Sequence, residues 1–157
     1  MTKLIPVIIL LLLNGSPAAS GTGTPVKPGP GDKCPVCGMF VAKYPDFVSQ
    51  AHLRDGTVRF FDGPKDLFKF LLNTSSYVPK GTRVDVETVL VTDYYERKQI
   101  NAKAAWFVIG SDIRGPMGHE LVPFHNAEEA REFMKDHHGQ RALRFTEVTA
   151  ATLKELE

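Results

Sequence analysis

Two cysteines are too few for a disulfide-built scaffold, and one Cys-x-x-Cys cannot supply every thiolate of a four-cysteine zinc ribbon. The chain also lacks a charge excess. A formal net charge of +1 over 157 residues excludes the basic footprint of a nucleic-acid binder. The N-terminal apolar run, Leu4 to Leu13, falls short of the roughly 20 residues that a spanning helix needs. What remains is an ordinary globular composition, 43% hydrophobic and 24% charged, enough for one domain or two small packed modules.

That apolar run follows a single positive charge, Lys3. It is broken by Asn14-Gly15-Ser16-Pro17 and followed by the small residues Ala18-Ala19-Ser20. A positive start, a short apolar run and a small-residue exit define an export signal, here residues 1–20. Its removal takes away one lysine and no acid, which leaves 18 basic and 18 acidic residues. No cysteine lies near the expected cleavage point, so a lipid-modified cysteine is not expected and a retained apolar run is the one route to a membrane. Residues 21–32, rich in Gly, Pro and Thr, cannot bury a core and are expected to form a flexible tether. Folded structure is expected from residue 33 to residue 157.

That remainder reads as a weak internal repeat. Phe47 to Leu53 alternates like a half-buried strand, Arg54-Asp55-Gly56 is a hairpin turn, and Thr57 to Phe61 is the return strand. Asp62 is expected to cap a helix that has Pro64 in its first turn and runs to about Leu72, with Leu67, Phe68, Leu71 and Leu72 as its apolar face. Val84 to Tyr94 reads as a third strand. The order then recurs: Phe107 to Ile113, Glu120 to Phe124, a helix from Ala127 to Asp136, and a closing strand from Leu143 to Val148, followed by a short helix. In this alignment Phe47 matches Phe107 at an offset of 60, and Phe61-Asp62-Gly63 matches Phe124-His125-Asn126 at 63. His125 therefore takes the place of the capping Asp62. The result is an α+β fold of two β-β-α-β modules, about 33–95 and 104–150. Three extra residues fall at the tip of the second hairpin, within Gly115-Pro116-Met117-Gly118-His119. An apolar Met gains little from burial at such a tip, which marks it as a candidate site.

Cys34-Pro35-Val36-Cys37-Gly38-Met39 carries the first chemistry. The spacing puts two sulfurs close enough to share one metal or one disulfide, and Met39 adds a thioether. Thiolate and thioether are soft donors, a combination that suits Cu(I) better than zinc or a hard cation. Spacing alone leaves three readings open: a metal site, a structural disulfide in an oxidising compartment, and a redox pair. Met117 and His119 would complete a sulfur-rich set with Cys34, Cys37 and Met39 if the second hairpin tip faces the cysteine loop. His52 reads as a strand-face residue, His137 and His138 as helix-end residues that suit the dipole, and His125 as a cap.

The motif Cys34 to Met39 followed by Phe40-Val41, then Phe60-Phe61-Asp62-Gly63-Pro64, then Gly115 to Phe124 in that order, resembles the NosL family of nitrous oxide reductase accessory proteins. The resemblance covers nearly all of residues 33–148. It implies the fold shared by NosL and the C-terminal part of organomercurial lyase, and an exported, non-enzymatic protein that binds Cu(I). By position, Cys34, Cys37 and Met39 match the first metal motif, Met117 matches the second, and His119 lies beside it. The implied partners are apo nitrous oxide reductase or another copper-accepting protein, and an upstream copper donor. The competing reading from another class is a periplasmic thiol–disulfide oxidoreductase that uses Cys34 and Cys37. Lyase chemistry would need an acid beside the thiols, and Asp32 is the one near in sequence. The resemblance places the protein in the periplasm, although many members carry a cysteine at the cleavage point where this sequence has none.

Overall fold

The computed structural model describes residues 23–157; the expected export signal lies outside them. No helix among the described residues is long and apolar enough to cross a membrane. The chain forms α+β structure built on antiparallel sheets. In the first half, β1 (Ser49–Leu53) pairs with β2 (Val58–Phe61) across the Asp55-Gly56 turn, helix α1 (Pro64–Leu72) follows, and β3 (Val86–Thr92) returns to the other side of β1. A short β4 (Gln99–Asn101), not foreseen from the pattern, extends the sheet to the order β2-β1-β3-β4. In the second half, β5 (Trp106–Ile109) lies between β8 (Val122–Phe124) and β9 (Arg141–Arg144), with α2 (Ala127–Asp136) between those two in sequence. Strand, hairpin partner, helix and return strand thus occur twice with the first strand in the centre.

The pairing corrects the alignment of the first strands. Ser49 opposes Phe61 and Trp106 opposes Phe124, so the central strands match at an offset of 57 and not 60. Phe107 stands where Gln50 stands, and the second hairpin holds six extra residues. The Phe-Val likeness of the two segments misplaced the register, which the cross-strand pairing fixes and two matching residues do not. The extra residues form a hairpin of their own, β6 (Arg114–Gly115) and β7 (Gly118–His119), with Pro116 and Met117 at the tip. The closing strand is shorter than expected: after Arg144 the chain turns into a 3-10 segment, Phe145–Glu147, and then α3 (Ala150–Glu155).

One core serves both halves. Leu67, Phe68 and Phe70 of α1 pack with Phe61, Val89 and Val91, and with Phe107, Ile109 and Leu121 of the second half. The Phe68 ring meets Phe107 edge-on at 5.1 Å. Phe70, not Leu72, completes the buried face of α1; Leu72 is exposed. A smaller cluster of Val108, Val122, Phe124, Ala130 and Phe133 lies under α2. Residues 23–32 follow the first sheet, where Val26 exchanges two hydrogen bonds with the Gln50 side chain, at 3.1 and 2.9 Å. Composition offered no sign of that contact with a strand side chain.

Candidate metal centre

The cysteine loop is closed at its base by a bridge between Lys33 and Phe40. The Cys34 N–H donates to the Met39 carbonyl at 2.9 Å, and the Gly38 N–H donates to the Cys34 carbonyl at 2.9 Å. Closing so tight a loop puts Gly38 at φ +79°, the left-handed region where a Cβ is unfavourable. Cys34 is 1% exposed and Cys37 half-buried; both are free thiols.

What faces them is the start of α1. Cys34 Sγ stands 3.3 Å from Asp66 Oδ2, and Cys37 Sγ stands 3.2 Å from Asp62 Oδ1. One atom from each of the four residues lies within 4.8 Å of the others. Asp62 Oδ2 is buried without a hydrogen-bond partner. Burial, reinforced by the carboxylates, pushes the Cys37 thiol up to about 12 and pushes Cys34 up as well. Burial also raises Asp66 above the usual carboxylate range. At neutral pH the metal-free cluster therefore holds two protonated thiols that donate to two carboxyl groups.

Asp62 can face Cys37 because it does not cap the helix. The N-cap position belongs to Gly63, which makes no side-chain cap bond. The cap comes from the other half of the chain: Glu120 Oε1 accepts from the Lys65 N–H at 2.6 Å, and from the Leu121 N–H at 2.9 Å. A Cβ at position 63 would run into the Glu120 carboxyl group, so this close approach needs glycine. Likewise His125 does not cap α2; Asn126 does, accepting from the Glu129 N–H at 2.8 Å.

Lys65 ties the two candidate motifs to one place. Its buried Nζ donates to the Met117 and His119 carbonyls, each at 2.7 Å, and to the Leu156 carbonyl at 3.4 Å. The Met117 hairpin thus sits against the first turn of α1, one residue from Asp66. Met39 is half-buried, and Met117 is 45% exposed at the tip. Of the sequence candidates, Cys34 and Cys37 share the four-residue cluster. His119 belongs to neither of the two groups of converging donor atoms found among the described residues. Asp62 and Asp66 were missed as site residues. Their i, i+4 spacing at a helix start was the available signal; Asp62 alone drew attention, as a cap.

Glu120 is buried, and burial lifts its carboxyl group to about 8. An unfolded Glu ionises near 4.3, so between these values unfolding releases a proton and stability falls as pH rises. Stability from this group is full below the unfolded pKa and is lost as pH passes the folded one. Glu120→Gln keeps the oxygen that accepts from Lys65 and Leu121. Relative to this variant, the native chain should lose about 1.4 kcal/mol per pH unit inside that window, read from urea midpoints. Parallel profiles would show that Glu120 is ionised throughout.

A twice-repeated β-β-α-β fold that brings a buried dithiol against two carboxyl groups defines a small α+β protein with a candidate soft-metal centre. The chain belongs to the NosL family: the NosL family model matches residues 25–153. It is 29% identical over 125 residues to the copper-binding lipoprotein NosL of Stutzerimonas stutzeri, a match that covers 79% of this chain and 65% of that protein. The chain thus spans a little under two thirds of the length of that curated relative. Among solved structures it is similar to the crystal structure of the copper chaperone NosL from Shewanella denitrificans, with a TM-score of 0.66 and 30% identity over 81% of this chain and 99% of that one.

Proposed function

We propose that this protein is an exported Cu(I) chaperone that binds one copper ion as cargo and passes it to a copper enzyme, foremost nitrous oxide reductase. The observation that carries the reading is the pair of free thiols, 3.2 and 3.3 Å from carboxyl oxygens, in a NosL-family chain. Cys34 and Cys37 supply the thiolates. Met39 and Met117 supply thioethers, and His119 stands beside Met117 as a further donor. Asp62 and Asp66 hold the thiol protons until copper displaces them. The relatives described as copper-binding and as a copper chaperone support this assignment, and the lipoprotein relative supports export to the periplasm.

Transfer proceeds by ligand exchange, in which a partner's donor enters as one chaperone ligand leaves. Met117 suits the role of first ligand to leave, because it is exposed at a tip while Cys34 is buried. Docking on the recipient relies on local patches, since the exported chain carries balanced charge. The protein acts as a carrier and not as a catalyst. The oxidoreductase reading loses ground on the thiols themselves: a reactive cysteine pair needs a lowered pKa, and here burial and the carboxyl groups raise both. X-ray absorption of the reduced, copper-loaded protein tests the assignment. A first shell dominated by sulfur is expected; a shell of nitrogen and oxygen alone would refute it.

A further inference from the structure

The second half carries a donor cluster at the place that corresponds to the cysteine site. β2 ends at Phe61 and α1 starts at Pro64; β8 ends at Phe124 and α2 starts at Ala127. With that shift of 63, Asp62 corresponds to His125 and Asp66 to Glu129. In the first half the partners of these two positions come from the segment before the central strand, as Cys34 and Cys37. At the second junction the partner again precedes the central strand in sequence: it is Asp93, just after β3 of the first sheet. One donor atom from each of Asp93, His125 and Glu129 lies within 4.8 Å of the others.

The three groups are aimed at one another, and one carboxylate oxygen among them is left unsatisfied. Asp93 is fully buried. Its Oδ1 accepts from the Tyr95 and Glu96 N–H groups at 3.0 and 2.8 Å, and its Oδ2 accepts from the His125 N–H at 2.8 Å. That Oδ2 also stands 3.1 Å from His125 Nδ1, while Glu129 Oε2 stands 3.3 Å from the same nitrogen. Glu129 Oε2 is shut off from solvent and has no hydrogen-bond partner. One ring nitrogen, with a single proton or a single lone pair, thus faces two carboxylate oxygens. Asn126 Nδ2 lies 2.9 Å from Nε2, on the far side of the ring, and holds its orientation. Ligands about 2.0–2.1 Å from a tetrahedral zinc ion sit roughly 3.3 Å apart, close to both separations seen here.

We propose that Asp93, His125 and Glu129 form a second metal site, which takes a divalent first-row cation of the Zn(II) or Cu(II) type. Two carboxylates and one imidazole are hard-to-borderline donors, unsuited to Cu(I), so the two sites differ in the ion they select. His125 is partly exposed, which leaves a coordination position open to water. The repeated fold then offers one binding place twice: the strand-to-helix junction, furnished with sulfur in the first half and with nitrogen and oxygen in the second.

The test uses the full chain with Cys34→Ser and Cys37→Ser, so that the sulfur site does not report. Calorimetric titration with Zn(II) should give one equivalent bound. Glu129→Gln and, separately, His125→Asn should each weaken binding at least tenfold, and His138→Asn should leave it unchanged. Cu(II) added to isotope-labelled protein should broaden the amides of residues 93–96 and 125–129 first. Cu(II) in place of Zn(II) in the titration shows which ion the site prefers. Absence of Zn(II) binding, or an affinity untouched by either substitution in folded protein, would overturn the site. With the cysteines intact, Glu129→Gln should leave Cu(I) affinity unchanged, so failure here stays separate from failure of the chaperone assignment.

Discussion

Replacing both Cys34 and Cys37 by serine removes tight Cu(I) binding, by about four orders of magnitude. Metal–ligand free energies of ~10–16 kcal/mol in four-ligand sites amount to roughly 3 kcal/mol per ligand, so two lost thiolates cost on the order of 6 kcal/mol. Serine does not substitute, because its hydroxyl stays protonated and its oxygen is hard where Cu(I) prefers sulfur. The fold should survive. A serine at position 34 can still donate to Asp66, and position 37 is only half-buried. Competition with a Cu(I) chelator reads the affinity, and far-ultraviolet circular dichroism reads the fold. If a folded double variant holds copper as tightly as the native chain, the cysteines are not the site.

Cu(I) affinity should climb steeply with pH, up to about 100-fold per unit between pH 6 and 8. The reason is the state of the empty site. Cys37 is pushed up to about 12 by burial, and Cys34 is pushed up by burial and the facing carboxylates, so both thiols are protonated throughout that range. Each thiolate that coordinates copper releases one proton, and each proton contributes a tenfold gain per pH unit. A slope of two protons means both thiolates bind; a slope of one means a single thiolate binds with thioethers. A flat profile, after correction for the chelator's own titration, would mean that a thiolate exists before copper arrives. The empty protein should follow the opposite trend. Thiols whose folded pKa lies above the unfolded value near 8.5 stabilise the fold fully below that value, and the contribution is lost as pH rises towards the folded pKa. Acid therefore promotes release of the cargo without removing the thiols' contribution to the fold.

Burial and the two carboxyl groups work against thiolate formation in the empty site. A nucleophilic cysteine sits near positive charge or a helix N-terminus that lowers its pKa. Here the helix N-terminus of α1 is already occupied by Glu120, and the side chains presented to the sulfurs are acidic. The same trans-cap locks the halves together. Lys65 offers its N–H to Glu120 and its side chain to the Met117 and His119 carbonyls, so the second motif is fixed relative to the helix that faces the first.

Local signals carried well where the chemistry was local. Helix α2 runs from Ala127 to Asp136 as expected, because Asn126 caps it three residues from Glu129 and the apolar positions fall on one face. The hairpin at Asp55-Gly56 and the Gly-flanked tip at Met117 were likewise readable from their turn residues. Misreadings arose where a distant residue outcompeted the local option. Asp62 has the identity and spacing of a cap, but Glu120, remote in sequence, takes the helix amide and leaves Asp62 to Cys37. His125 was read by analogy with that cap, and it pairs instead with Asp93.

The sequence by itself determined the paired cysteines, the thioether beside them, the order of strands and helices, and the kinship that the motifs carry. Each of these lives within a few residues of chain, where spacing and residue type leave little freedom. The tertiary structure alone decided which acids meet the sulfurs, how deeply each thiol is buried, that Glu120 caps a helix in the other half, and that Asp93 converges with His125 and Glu129. Those contacts join residues from about 25 to 55 positions apart, and they form because the two halves pack together around one core. Packing of that core fixes where the polar groups end up, and no local pattern records it.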